Sequence, residues 1–290
     1  MNLKYINKIK ANISIYSSKK STNILDGTYK SIYKGKSTNF ENLREYVIND
    51  DVKDIDWKSS ARSGTLLVKQ FIAEKKHNIL LVLDNGIKFS ADTSSHESKK
   101  ELALYTAGTI GYLAIKNNDY VGMIFSNDKN IVYKQFKFNL YNLEQYLTEY
   151  DKSSFNDGPT IEEKLQFINK NIPKKTIIFI ISDIDGITSI NVSTLKKLKY
   201  NHDILIINID DNYLSGTDIY DVNKKTYIPS FILKNKKLNN IEKELRKNII
   251  KENKEKLKIN NINMITINSI KEINKSIIQL LEEHKYGAKN

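Results

Sequence analysis

A chain of 290 residues, 40% of them hydrophobic, is long enough for one large domain or two smaller ones and can fill a core. It has no cysteine, which excludes disulfides, thiolate zinc sites and cysteine nucleophiles, and its four histidines, His77, His96, His202 and His284, show no metal-binding spacing. The formal charge of +12 invites a nucleic-acid reading, but Lys, Asn and Ile are abundant together, so most of the charge reads as solvated surface. Attraction to an acidic partner or an anionic membrane surface ranks above nucleic-acid binding.

Residues 1–76 hold few long apolar runs and many Gly, Ser, Tyr and charged residues. This predicts a small β-rich unit, with short strands at "ANISIYS" and "TLLVKQF". From 77 to 290, buried-strand runs alternate with helical patterns, the signature of a mostly parallel sheet flanked by helices. The runs are 78–83, 120–125, 131–138, 176–182, 204–209 and 262–267. Between them, Ser98 and Glu101 can form a capping box opening a helix that carries Leu102, Tyr105 and Leu113, with Gly108 and Gly111 allowing close approach to the sheet. Three further stripes recur at helical spacing: Ile161, Leu165, Ile168 and Ile172; Leu238, Ile241, Leu245 and Ile249; Ile270, Ile273, Ile277 and Leu281. All are expected to face the core. Residues 210–231 interrupt the alternation, and "IYDVNKKTYI" within them reads as a hairpin. No apolar run approaches the roughly 20 residues that span a bilayer. The N-terminus lacks the apolar core of a signal peptide, so the expected address is the cytoplasm.

The densest polar information lies in "FENLREYVINDDVKDIDWKSSARSGTLLVKQF", Phe40 to Phe71. Asp50, Asp51 and Asp56 could hold a divalent cation in a metal-dependent hydrolase or nuclease. Alternatively the aspartates cap turns and pair with Arg44, Arg62 and Lys69, while Trp57 anchors the small unit to the core. The interleaved bases would compete with a metal and favour the second reading.

The run from Gly27 to Lys75 resembles, without gaps, the signature of the bacterial family known as domain of unknown function fifty-eight. The resemblance is carried by Gly27, Ser31, Gly35, Phe40, Leu43, Arg44, Glu45, Tyr46, Asp50, Asp51, Ile55, Asp56, Trp57, Ala61 and Arg62. Asn49 stands where the family's turn glycine is usual, and Lys53 and Asp54 replace a basic pair. The resemblance implies a doubly wound domain like von Willebrand factor A following the signature segment. It also implies a partner or adaptor role beside MoxR-type AAA+ ATPases and other von Willebrand-type proteins, with companions that can recruit the chain to a membrane.

Such domains often carry a metal-ion-dependent adhesion site, DxSxS after the first strand, with a threonine from a later loop and an aspartate ending the fourth strand. Asp84 in "NILLVLDNGIKFS" takes the first place, but Gly86 and Lys88 stand where the two serines belong. Thr160 or Pro159 falls at the threonine place, and Asp183 matches the last acid. A divalent ion about 4 Å from the ammonium would meet a repulsion of roughly 8 kcal/mol at an effective dielectric of 20, an upper bound because lysine can swing outward. Three readings of Lys88 follow: a built-in cation between Asp84 and Asp183 that holds the loop without metal, a bystander to a weak Mg²⁺ on Asp84, Thr160 and Asp183, or a solvated side chain beside a turn capped by Asp84. The chain lacks phosphate-loop, dinucleotide-binding, nucleophile-elbow and metal-histidine motifs. The leading expectation is therefore a non-enzymatic interaction module with a degenerate adhesion site and no cofactor.

Overall fold

The computed structural model describes residues 3–16, 39–48, 50–72, 76–154, 158–211, 220–221, 226–227 and 235–287. They fall into two compact units, one comprising Met1–Tyr29 with Asn78–Asn290 and the other Lys30–His77. This division corrects the expected extent of the small unit, because the N-terminal residues belong to the larger one. Within "ANISIYS", Ala11 to Tyr16 are the end of a helix, α1 (Lys4–Tyr16), which belongs to the larger unit. Ile6, Ile9 and Ile13 recur at helical spacing and are buried, a period that the short apolar alternation of Ile13 and Ile15 masks in the sequence.

The smaller unit is an antiparallel hairpin of β1 (Asn39–Glu45) and β2 (Leu67–Ile72), with a short helix α2 (Trp57–Ser63) in the connection. Asp56 caps α2 by accepting from Ser59 N–H at 3.0 Å, and Gly64 ends it at φ 74°, a left-handed conformation that favours glycine. Of the signature positions, Gly27, Ser31, Gly35 and Asn49 lie outside the described residues.

The larger unit is built on six strands: β3 (Asn78–Leu83), β4 (Tyr120–Asn127), β5 (Asn130–Lys137), β6 (Ile177–Ser182), β7 (Asp203–Ile209) and β10 (Asn263–Ile267). Their order is β10-β7-β6-β3-β4-β5, with only β5 antiparallel to its neighbour. Strands buried on both faces need no polar alternation, which is why "ILLVL" and "IIFII" are continuous apolar runs. Successive residues serve opposite layers. Leu80, Val82, Ile178, Ile180, Ile204 and Ile206 join Ile161, Leu165 and Ile168 of α5 (Ile161–Asn171), its C-cap Ile172, and Leu195 and Leu198 of α7 (Val192–Asn201) in one core cluster.

Against the sheet lies α3 (Lys99–Lys116), buried along nearly its whole length and packed beside α1, α4 (Leu140–Lys152) and α9 (Ile273–Gly287). Its two glycines bring the neighbouring helices close, not the sheet as expected. A Cβ on Gly108 would lie 2.3 Å from Ile9 Cδ1, and one on Gly111 would lie 2.8 Å from Leu143 Cδ1. Buried Glu144 of α4 accepts both Tyr5 N–H and Ile6 N–H at 2.9 Å, satisfying two donors that the start of α1 cannot use internally.

In the segment 210–231, β8 (Tyr220–Asp221) pairs antiparallel with β9 (Thr226–Tyr227), as the hairpin reading requires; its turn lies outside the described residues. One expected core stripe is not one. On α8 (Lys236–Ile259), Leu238, Ile241, Leu245 and Ile249 are 44%, 44%, 57% and 40% exposed. The helix is seated instead through Ile250, Asn253 and Leu257, on a face about a quarter-turn away. Among the described residues, no helix is long and apolar enough to cross a membrane.

Candidate functional site

The chain winds to one side of β3 through β4 and to the other through β6, so the carboxyl ends of β3 and β6 frame the switch point where open α/β sheets present a crevice. Asp84 follows β3, and Asp183 follows β6 and caps the short helix α6 (Ile184–Thr188). Asp84 Oδ1 accepts Gly86 N–H at 3.1 Å, and Oδ2 accepts the Ser182 hydroxyl at 2.7 Å. Gly186 makes this possible: a Cβ there would stand 2.1 Å from Ser182 Oγ and 2.8 Å from Asp84 Oδ2. The neighbouring Asn85 is buried, accepting Ser126 N–H at 2.9 Å and donating to Ser153 Oγ at 3.1 Å, which ties the loop after β3 to the end of β4.

Lys88 does not bridge Asp84 and Asp183. It pairs with Asp185 at the rim, where both side chains are substantially exposed. The cation at Asp183 is instead Lys99, from the first turn of α3, only 1% exposed, with Nζ 3.5 Å from Asp183 Oδ2 and in contact with Asp211 Oδ1. Asp211 Oδ2 is 3.2 Å from Arg246 Nη1, which links the end of β7 to α8. A second buried ammonium, Lys164 of α5, donates to Leu83 O at 3.0 Å behind Asp84. Burial lowers the affinity of both lysines for their protons, opposed by Asp183 at Lys99 and by Asp84 at Lys164. Burial also raises the Asp210 carboxyl, opposed by the Ser94 hydroxyl that donates to it at 2.7 Å and by Arg246 and Lys99.

Thr160 is the N-cap of α5 in a complete capping box with Glu163: its hydroxyl accepts Glu163 N–H at 3.2 Å, and the Glu163 carboxylate accepts Thr160 N–H at 2.7 Å. Pro159 offers only its carbonyl, which accepts the Ser126 hydroxyl at 3.0 Å. These donors do not fit a divalent ion. Gly86 supplies no side-chain oxygen, Lys88 none, Thr160 is engaged by Glu163, and Asp183 already holds an ammonium. Among the described residues, no three acidic or histidine side chains converge as a metal cluster.

The acid-rich segment uses its carboxylates locally. Asp50 takes both terminal nitrogens of Arg44, at 2.7 and 2.6 Å, and also accepts Val47 N–H at 2.8 Å. Those hydrogen bonds hold its carboxyl below the usual range and the Arg44 guanidinium above its own. Asp51 caps a 3-10 turn by accepting Lys53 N–H at 3.0 Å. Asp56, capping α2, lies 3.9 Å from Lys69 and is also shifted down, first by the Ser59 N–H. Glu45 lends its carbonyl to Arg44 at 3.1 Å, Tyr46 N–H donates to Leu66 O at 2.8 Å, and Arg62 is exposed in the last turn of α2. Trp57, expected as a buried anchor, is 63% exposed: it opens α2, and the residue that this helix buries is Ser60.

The site residues that the motif reading missed are Lys99, Lys164 and Asp211. Lys99 had one signal: a lysine in the first turn of a helix opposes the helix dipole and needs a reason to be there.

The strand order, with the first strand of the unit near its centre, the third antiparallel and helices on both faces, is that of a doubly wound, mostly parallel α/β sheet. The chain belongs to the family described as "Protein of unknown function DUF58", whose pattern matches residues 42–215. Uncharacterized proteins of Mycobacterium tuberculosis and Mycobacterium bovis are each 28% identical to it over 104 residues, 36% of this chain and 32% of theirs. The matched stretch is thus about a third of the length of these curated relatives. Among solved structures, the conserved hypothetical protein BatB from Bacteroides thetaiotaomicron gives a TM-score of 0.45 at 14% identity, over 74% of this chain and 100% of that one. A von Willebrand factor type A protein from Catenulispora acidiphila gives 0.40 at 6% identity, over 72% and 43%.

Proposed function

We propose that the chain is a non-enzymatic docking module that meets a protein partner at the carboxyl edge of its large sheet, in a degenerate adhesion site. The observation that supports this most is the Lys88–Asp185 ion pair, with side chains 40% and 58% exposed above the half-buried Asp84. An exposed pair is worth little to the fold and can be exchanged for a partner's charges, whereas the acids beneath it are committed to neighbouring groups. The family resemblance points to a MoxR-type AAA+ ATPase as that partner, with other von Willebrand-type proteins in the same assembly. The setting is the cytoplasm, with companions able to bring the chain to a membrane. A nuclease role for Asp50, Asp51 and Asp56 is disfavoured, because Arg44 and two caps occupy their oxygens.

Recovery of the full chain from native cells, followed by identification of what comes with it, tests the reading. An AAA+ ATPase is expected, with its recovery reduced about tenfold by either Lys88→Glu or Asp185→Lys. Recovery of ribosomal or DNA complexes alone, or an ATPase retained equally by both variants, overturns it.

A further inference from the structure

Lys99 is an expensive residue where it stands. It lies in the first turn of an eighteen-residue helix, where the dipole disfavours a cation, and it is 1% exposed. Two carboxylates from different strand ends converge on it, Asp183 after β6 and Asp211 shortly after β7, and the ring of Phe89 lies 5.9 Å from its Nζ. Asp183 is itself 2% exposed, and its second oxygen is taken by Gly186 N–H at 2.9 Å. With the ammonium removed, Asp211 would keep Arg246, but the buried Asp183 would lose its ammonium partner and keep the Gly186 N–H. The two carboxylates that converge on the ammonium, Asp183 and Asp211, would then face the space it leaves, oxygen ligands of the kind a hard divalent cation takes.

We propose that Lys99 is a built-in cation that takes the place of a divalent ion at this edge, so that the ammonium and a divalent ion are mutually exclusive occupants of one carboxylate pocket. The lysine is a positioning residue. It pins the ends of β6 and β7 and, through Asp211 and Arg246, α8. The inference holds whether or not the edge docks a partner, because it concerns what neutralises the acids.

The test is thermal unfolding of the full chain, wild type and Lys99→Met, with EDTA and with millimolar MgCl₂, CaCl₂ or MnCl₂. The wild-type midpoint is expected to be indifferent to all four. That of Lys99→Met is expected to fall by about 5–10 °C in EDTA and to climb back with divalent concentration, as for any ligand that binds only the folded chain. Lys99→Arg, which keeps the charge, is expected to stay indifferent. If Lys99→Met does not fold, Lys99→Met with Asp183→Asn removes one charge of each sign, and this double variant is expected to fold without responding to divalent ions. A divalent-dependent shift in the wild type, a folded Lys99→Met that ignores every cation, or a double variant that responds to them would overturn the proposal.

Discussion

The two acid-rich regions of this chain solve the same problem in different ways. In the small unit, Asp50, Asp51 and Asp56 find their partners two to six residues away or on the adjacent strand, and all remain partly or fully open to water. At the edge of the large sheet, Asp183 meets an ammonium 84 residues earlier in sequence, in a place from which water is almost excluded. Local pairs can be lost at little cost, because solvent replaces the missing partner. Buried pairs cannot, because the charge left behind has nothing to face.

The contrast predicts a ranking. Asp183→Ala should cost about 3–5 kcal/mol, measured by denaturant unfolding, since it leaves the buried Lys99 ammonium with one carboxylate in place of two and removes the cap of α6. Glu144→Ala should cost about 2 kcal/mol by exposing no charge but leaving the first N–H groups of α1 unpaired; hydrogen exchange should localise the loss to Lys4–Tyr16. A smaller effect is expected from pH. Burial holds the rings of His202 and His284 below the ordinary value of 6.5, so between that value and the folded one the unfolded chain binds more protons. Their contribution is therefore complete above about pH 6.5 and drains away as the pH falls, by at most about 1.4 kcal/mol per pH unit for each ring. Replacing both by Gln should flatten the profile between pH 7 and 5, whereas replacing the exposed His96 should not. The smallest change should come from Asp50→Asn, which alters only a partly exposed ion pair and should leave the unfolding midpoint within the range of ordinary surface substitutions. If Asp50→Asn proved as damaging as Asp183→Ala, the distinction between the two regions would fail.

What could be read from the sequence follows the same division. Five strands of the large sheet were legible because each is a short apolar run bounded by polar residues, and runs buried on both faces leave little alternative; β5, with no buried residue, showed only its β-branched and aromatic residues. The caps at Ser98, Asp51 and Asp56 were legible because capping is a contact over two or three residues. The α8 stripe misled because amphipathic spacing says that a helix has an apolar face, not that the fold supplies something to cover it. Trp57 misled in a similar way: a large aromatic is usually buried, but here it opens a two-turn helix. At the candidate site, the missing hydroxyls at Gly86 and Lys88 pointed to a cation in place of a metal. Which lysine supplies it was not legible, because Lys88 lies four residues from Asp84 while Lys99 reaches Asp183 only once β3, β6 and α3 are assembled.

The central claim is that the acids at the end of β6 are neutralised from within the chain. Anomalous scattering from crystals grown with excess Mn²⁺ tests it most directly. The account predicts the Lys99 ammonium seated between Asp183 and Asp211, with no manganese within coordination distance of Asp84 or Asp183. A strong anomalous peak ligated by either carboxylate, with Lys99 turned away, would contradict it.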